Sequence, residues 1–409
     1  MISERDKATV RELAKKYMDA VCTDKQEAML LRFRDTNDLK AGRPPILLDE
    51  IPWHEMDIDG ELTPICENQR ARELELTLRR RLYYLKYFEG MDNLWEPVLR
   101  VWRAYDSTGI GVKKEDQILR TDIKNNIVSH GYKDVLVDES VLERMHDPEF
   151  TLRPDIDAEK MEFYTDLLGN SMPVRLCGHG NYYDAPWDTI ATLHGVENML
   201  IDMYDRPEFL HEIIKRFTSA AHATIDFLEK NLDAEEDIAG VHCTPAPITV
   251  KKEKGKLPVW YRRTAQAFGV VSPAMFEEFE ADYIKPLAER FAFTYYGCCE
   301  PLDGRIDMLK KTVPNLRKIG CSPWASVEKC AEQIGGDFVL SRKPNPANVA
   351  IKTDADIIKR EIEETVKICI KYGCPYDISL KDISTVSNRP ENLIIWVKAA
   401  NEVLCRYYG

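Results

Sequence analysis

Between Phe291 and Pro346 the chain reads as three short apolar runs, each breaking into polar or metal-capable side chains at its C-terminal end. The runs are Ala-Phe-Thr-Tyr-Tyr-Gly-Cys298-Cys299-Glu300, Leu-Arg-Lys-Ile-Gly-Cys321-Ser-Pro and Asp-Phe-Val-Leu-Ser341-Arg342-Lys343-Pro. Between them, Asp303 precedes Ile306-Asp-Met-Leu-Lys-Lys and Ser326 precedes Val-Glu-Lys-Cys-Ala-Glu, both helix-start signals. Strand, loop and helix in repetition call for a parallel sheet covered by helices. When such a sheet closes into a barrel, reactive side chains collect at the C-terminal ends of the strands.

The same pattern supplies eight candidate strands: Pro45 to Ile51, Val98 to Ala104, Met172 to Cys177, Asp237 to His242, Ala292 to Cys298, Leu316 to Cys321, Phe338 to Ser341 and Tyr376 to Leu380. Helical patterns separate them, at Asn68 to Phe88, Pro186 to Tyr204, Pro207 to Leu228, Pro273 to Phe291, Thr353 to Tyr372 and Arg389 to Tyr407. Proline at several helix starts suits its place in the first turn. Residues 1–40 read as a helical N-terminal extension, and the broken rhythm between Ile118 and Leu167 as an insertion after the second strand. The expected fold is α/β: a single (β/α)8 TIM barrel over residues 41–409, which 409 residues with 44% hydrophobic content can support.

A net charge of −13 argues against a nucleic-acid partner, because phosphate binding wants clustered Lys and Arg. No run of about 18 apolar residues and no apolar stretch near the start are seen, so neither a membrane span nor export is expected, and a cytoplasmic location is. The eleven cysteines are odd in number and fall in apolar runs, which predicts reduced thiols and no disulfide framework. Six of them (Cys22, Cys66, Cys330, Cys369, Cys374 and Cys405) lie in helical surroundings and read as small buried hydrophobes. Cys243, Cys298, Cys299 and Cys321 lie where strands would end.

Other strand ends carry candidates with a structural reading beside the functional one. Tyr105-Asp106-Ser-Thr-Gly closes the second strand, so Tyr105 could touch substrate and Asp106 could orient or protonate it, or the stretch is an Asx turn. His179 in Cys-Gly-His-Gly-Asn follows the third strand, where glycine lets backbone approach a ligand or simply enters a helix. Ser341-Arg342-Lys343 and Ser379-Leu-Lys381-Asp382 close the last two strands, so Arg342 and Lys381 could grip an anion, with an Arg342–Asp382 ion pair as the structural alternative. Trp102, Trp324 and Tyr296 could wall a flat ligand or pack in the core. Gly109-x-Gly111 and Gly178-x-Gly180 lack the full dinucleotide fingerprint.

The segments His194-Gly-Val-Glu-Asn-Met-Leu to Phe217-Thr218 and Gly269-Val-Val-Ser-Pro-Ala-Met-Phe-Glu-Glu-Phe279 resemble the uroporphyrinogen decarboxylase superfamily, over roughly residues 45–409. The resemblance implies a (β/α)8 barrel, and the superfamily also holds methyltransferases that move methyl groups to or from corrinoids. The decarboxylases share an N-terminal Arg-Gln-Ala-Gly-Arg-Tyr motif that holds the tetrapyrrole carboxylates, and nothing near Arg43-Pro-Pro-Ile46 matches it. Tyr261-Arg-Arg-Thr-Ala-Gln266 looks loosely similar but lies after the fourth expected strand. The methyltransferase branch binds zinc through His-x-Cys after the fifth strand and a Cys near the eighth. Here the matching positions read Tyr296-Gly-Cys298 and Lys381-Asp382-Ile-Ser, so the first thiol is kept while the histidine and second thiol are not.

Alternation along a strand would put Tyr296, Cys298 and Glu300 on one face and Cys299 on the other. Zinc takes imidazole, thiolate and carboxylate, which makes His242, Cys298 and Glu300 the expected ligands, with Cys321 as substitute and an open fourth position. Asp106, Tyr296 and Asp382 are the expected acid-base groups. The resulting expectation is a methyltransferase, assisted by zinc, that moves a methyl group between a small methylated substrate or thiol acceptor and a corrinoid. The corrinoid would be carried by a partner protein, since the chain has no Asp-x-His-x-x-Gly corrinoid motif. A tetrapyrrole- or corrinoid-binding protein without chemistry and a decarboxylase-like lyase are the alternatives.

Overall fold

In a computed structural model, the structure describes residues 2–119, 129–235, 240–249 and 255–409. Its strands, in chain order, are β1 (Ile46–Leu48), β2 (Leu99–Trp102), β3 (Tyr105–Ser107), β4 (Glu115–Leu119), β5 (Ser129–Lys133), β6 (Phe150–Leu152), β7 (Val174–Cys177), β8 (Tyr182–Asp184), β9 (Leu257–Arg263), β10 (Phe291–Tyr296), β11 (Leu316–Cys321), β12 (Val339–Arg342) and β13 (Tyr376–Leu380). Seven of them form one parallel sheet in the order β1-β13-β12-β11-β10-β9-β8, while β2 pairs in parallel with β7. The pairs β3–β6 and β4–β5 are antiparallel; β5 and β6 lie within the stretch from Ile118 to Leu167 read as an insertion, while β3 and most of β4 precede it.

The α/β class and the parallel order follow the sequence reading, but the closed eight-stranded barrel does not form. Among the described residues no ladder joins β1 to β2 or β7 to the large sheet. The reason at β1 is local. Ile46 donates its N–H to the Asp92 carboxylate at 2.9 Å, its carbonyl accepts from the Asp92 N–H at 2.6 Å, and Leu48 N–H donates to the Tyr84 hydroxyl at 3.0 Å. Asp92 and Tyr84 thus satisfy the edge that a neighbouring strand would have used. Asp92 is itself held by Arg32 and Arg43.

The expected strand from Asp237 to His242 falls half outside the described residues. Residues 236–239 lie outside the described set, and His242 and Cys243 sit in a bend with φ of 40° and 54°. The place beside β10 is taken instead by β9, whose Tyr261-Arg-Arg stretch the sequence reading put after a strand.

Most helices form where their signals predict, although Ile306–Thr312 begins after Arg305 with no cap from Asp303, and the expected helix from Pro273 to Phe291 is divided into Pro273–Phe276 and Asp282–Ala288 by the π-helical segment Glu277–Ala281. Ser326 caps Val327–Ile334 by accepting from Lys329 N–H, Asn68 caps Gln69–Tyr87, and prolines occupy the first turns at Pro154, Pro186, Pro207 and Pro273. Gly195, at φ 85°, divides the expected helix from Pro186 to Tyr204 into Pro186–His194 and Val196–Asp205. The N-terminal helix Glu4–Val21 buries Val10, Ala14 and Tyr17 against Leu74, Leu78 and Leu167. No described helix is long and apolar enough to cross a membrane.

Side-chain alternation sorts the sheet into two faces. On the convex face Tyr261, Tyr296, Ile319, Cys321, Leu340, Ile378 and Leu380 join the large helix-covered core. On the concave face Trp260, Phe293 and Tyr295 pack with Val241 and Ala246 in a smaller one. Above that floor lies a buried polar layer. Asp377 accepts from Lys318 Nζ at 2.7 Å, Thr244 Oγ1 at 3.0 Å and Ser341 Oγ at 2.6 Å, all fully or nearly fully buried. Burial raises the cost of the Asp377 charge, and the Lys318 and Lys343 ammoniums outweigh it, holding the carboxyl below its ordinary range.

Candidate functional site

Above the polar layer, at the C-terminal ends of β1, β10 and β13, three segments converge. Lys381 follows β13 and places Nζ 3.8 Å from Cys298 Sγ, 3.7 Å from Cys299 Sγ and 2.5 Å from Asp382 Oδ2. Cys298 and Cys299 follow β10, with their sulfurs 3.5 Å apart, and Cys299 Sγ lies 3.1 Å from Asp382 Oδ2. Glu50 follows β1 and accepts from Asp382 N–H at 2.9 Å, with Lys381 Nζ 3.4 Å away. Cys243 Sγ reaches 4.0 Å from the other Glu50 oxygen and 3.4 Å from His242 Nδ1.

The backbone here is strained. Glu50, His242, Cys243 and Asp382 account for four of the eight described non-glycine residues at positive φ, at 50°, 40°, 54° and 56°. Such conformations cost free energy and persist where the surroundings impose them, most often at functional sites.

The electrostatics follow from the crowding. A hydrogen bond from Cys299, with burial acting against it and the Lys381 and Arg262 charges adding to it, holds the Cys298 thiol below its ordinary value. The same contact, reinforced by burial, pushes Cys299 up, so the pair acts as thiolate and donor. Burial raises Glu50. Burial would raise Asp382 too, but the hydrogen bond and charge of Lys381 hold it below the usual carboxylate range. Burial keeps His242 neutral, helped by the positive charges of Arg262, Lys343 and Lys381. Beside Glu50 and Asp382 opens a cavity of about 400 Å³ walled by Trp53, His54, Arg80 and Ile383. A second of about 230 Å³ shares Glu50, Trp53 and Arg80 with it.

Of the residues singled out in the sequence, Cys298, Cys299, Lys381 and Asp382 meet here, with Cys243 and His242 bordering them through Glu50. The others do not. Tyr296 is fully buried on the convex face, its hydroxyl donating to Glu280 Oε1 at 3.2 Å. Cys321 and Arg342 share that face: Cys321 lies in the helix-covered core, and Arg342 donates to the Ser322 carbonyl at 2.8 Å and to Glu361 at 3.2 Å rather than to Asp382. Each sits at a strand end but on the odd side of the pleat. Tyr105 and Asp106 belong to the exposed β3, where Asp106 pairs with Arg153 at 2.9 Å and Tyr105 packs edge-on against Phe227. His179 is buried, and its Nδ1 lies 3.1 Å from the Gly180 carbonyl oxygen.

The expected zinc set is therefore not assembled. Among the described residues no group of three or more His, Cys, Asp and Glu is placed to hold a metal. Glu300 is 2% exposed and its carboxylate is occupied, accepting from Thr264 Oγ1 at 2.7 Å, Ala265 N–H at 3.3 Å and Cys298 N–H at 2.9 Å. The donors present do not fit a three-ligand zinc centre. Cys299 also differs from its expected place opposite Cys298, because β10 ends at Tyr296 and Gly297, at φ 106°, breaks the alternation.

Sequence reasoning passed over Glu50, Lys343 and Arg262. Glu50 was read inside a strand that in fact ends at Leu48. Lys343 stood in the very stretch from which Arg342 was chosen, and counting alternate residues along β12 from Ser341 would have selected it.

No family model matches the sequence, and no curated protein is significantly similar to it. Among solved structures, a methyltransferase from Methanosarcina mazei aligns with 91% of this chain and 98% of its own, at 16% identity and a TM-score of 0.49.

Proposed function

We propose that the chain is a methyltransferase that moves a methyl group between a small methylated substrate or thiol acceptor and a corrinoid carried by a partner protein. The observation that carries this reading is the Cys298–Cys299 pair against Lys381 and Asp382 at the C-terminal strand ends. An ammonium beside sulfur stabilises thiolate, the form in which sulfur accepts an alkyl group or departs from one. The resemblance of the His194–Thr218 and Gly269–Phe279 segments to a superfamily with corrinoid-linked members points the same way.

A corrinoid brought by the partner would supply the centre that gives or takes the methyl group. The residues of this chain do the rest. The cavity of about 400 Å³ beside Asp382 is of a size for a small molecule. With a thiol acceptor, the S–H proton passes to the ionised Asp382, the sulfur remains as thiolate beside Lys381, and its electron pair forms the new S–CH3 bond, while the corrinoid would keep the electron pair of the methyl bond it gives up. With a methylated thiol as donor, the same steps run backwards. In both directions the Lys381 ammonium stabilises the negative charge on sulfur.

The test is an anaerobic assay of the purified chain with methylcobalamin and a panel of small thiols, or with cob(I)alamin and small methylated donors, followed by the visible spectrum of the corrinoid. Chain-dependent turnover is expected, falling by about 10²-fold or more in Lys381→Met, the scale of losing one preorganised charge. An inert panel together with decarboxylation of uroporphyrinogen by the chain alone would overturn the reading.

A further inference from the structure

Two consecutive arginines end β9, and the chain treats them in opposite ways. Arg263, on the convex face and fully buried, donates to Glu280 through Nε at 2.8 Å and Nη2 at 2.6 Å and also pairs with Asp184. Arg262, on the concave face, is 7% exposed, has no carboxylate within ion-pairing distance among the described residues, and leaves its buried Nε without a hydrogen-bond partner. Its guanidinium lies over the Tyr183 ring, 4.3 Å from the centroid, and its register neighbours are Tyr183 on one side and Tyr295 on the other.

A second buried cation lies nearby. Lys343 is 1% exposed and donates to Ser341 Oγ at 2.8 Å, while Asp377, the carboxylate of that layer, is already ion-paired with Lys318. Nζ of Lys343 stands 5.9 Å from the Tyr295 ring, the ring that flanks Arg262 in the neighbouring strand. Lys318 and Lys343 share Asp377 and Lys381 has Asp382, so Arg262 is the cation left without a carboxylate of its own. A buried cation without a counter-ion is costly to keep, and a guanidinium in particular is shaped to take an oxyanion in a fork of two N–H donors.

We propose that Arg262, with Lys343 beside it, is the anchor for an oxyanion of the substrate, a carboxylate or a phosphate, on the concave face next to Cys298. The small substrate is then an anionic molecule whose charged end is held by Arg262 while its reacting end lies toward Cys298 and Lys381. This rests on the methyl-transfer reading only for what the reacting end does; the anchor itself is a statement about binding.

The experiment measures binding with neither corrinoid nor methyl donor present, so its failure and that of the methyl-transfer reading are separable. Thermal unfolding and titration calorimetry of the whole chain are followed with inorganic phosphate and with acetate, against chloride at matched ionic strength. At least one of the two anions is expected to raise Tm in the wild type. Response to acetate alone identifies a carboxylate ligand, and response to phosphate alone a phosphorylated one. Arg262→Met should abolish the rise and weaken the titrated affinity by roughly tenfold or more, as expected for loss of a charged hydrogen-bonding group. In chloride the same variant should be no less stable than the wild type, because an unpaired buried charge has been exchanged for an apolar side chain. Lys343→Met, on a separate strand, should weaken the same response. Silence of both anions in the wild type, an undiminished response in Arg262→Met and Lys343→Met, or a large loss of stability in chloride in Arg262→Met would each overturn the proposal.

Discussion

Lys381 and Cys298 lie 83 positions apart in sequence and meet with Nζ 3.8 Å from Sγ, which joins the end of β13 to the end of β10 across the mouth of the sheet. Around that contact gather Cys299, Asp382 and Glu50, each supplied by a strand end or the residues just after it.

Reactivity should be unequal between the two thiols. Because a hydrogen bond from Cys299 and the charge of Lys381 hold the Cys298 thiol down, Cys298 is expected to be alkylated by iodoacetamide near neutral pH faster than Cys299. Lys381→Met and Cys299→Ser should each slow Cys298 by roughly a factor of ten. Peptide mass spectrometry separates this site from the exposed Cys22 and Cys405.

Glu300 is expected to matter to stability, not to metal content. Its side chain accepts from Thr264, Ala265 and Cys298, so Glu300→Ala leaves buried donors unsatisfied and should lower the unfolding free energy by about 3 kcal/mol. Urea unfolding reports the loss, and elemental analysis of wild type and variant should show no difference in bound metal attributable to this carboxylate.

The Arg263–Glu280 pair ties β9 to the segment Glu277–Ala281 with both side chains fully buried. Glu280→Ala leaves the buried Arg263 guanidinium with Asp184 as its remaining ion-pair partner and should cost about 3 kcal/mol. The double variant Arg263→Met, Glu280→Leu should cost much less than the single, since it removes both charges. Comparing the two by denaturant midpoint separates the penalty of a charge left short of a partner from the worth of the pair.

Burial holds the His179 imidazole below its ordinary value of 6.5, with the Gly180 hydrogen bond and nearby carboxylates acting the other way. The unfolded chain therefore takes up a proton near that pH while the folded one does not. Stability is present above the unfolded value and falls as pH drops through it. Unfolding free energies measured from about pH 7.5 down to about pH 5 should decline less steeply in His179→Gln than in the wild type.

Most of the elements, and the end of the sheet where reactive side chains gather, were legible in the sequence. The apolar runs after Phe291, the capping Ser326 and Asn68, and the prolines of the first turns are local signals, and local signals survive into the fold. Cys298, Lys381 and Asp382 were legible for that reason, as polar residues closing apolar strands. The tertiary structure alone decided which strand-end residues share a face and where the sheet stops. Tyr296, Cys321 and Arg342 close their strands as convincingly as any, yet the pleat turns them toward the helices, and a slip of one position reverses that choice. Gly297 resets the alternation before Cys299, and Asp92 with Tyr84 closes the edge of β1 from 36 or more positions away. Glu50, Arg262 and Lys343 became visible only once their partners, or the lack of them, were placed, because pairing of buried charge depends on contacts between residues distant in the chain.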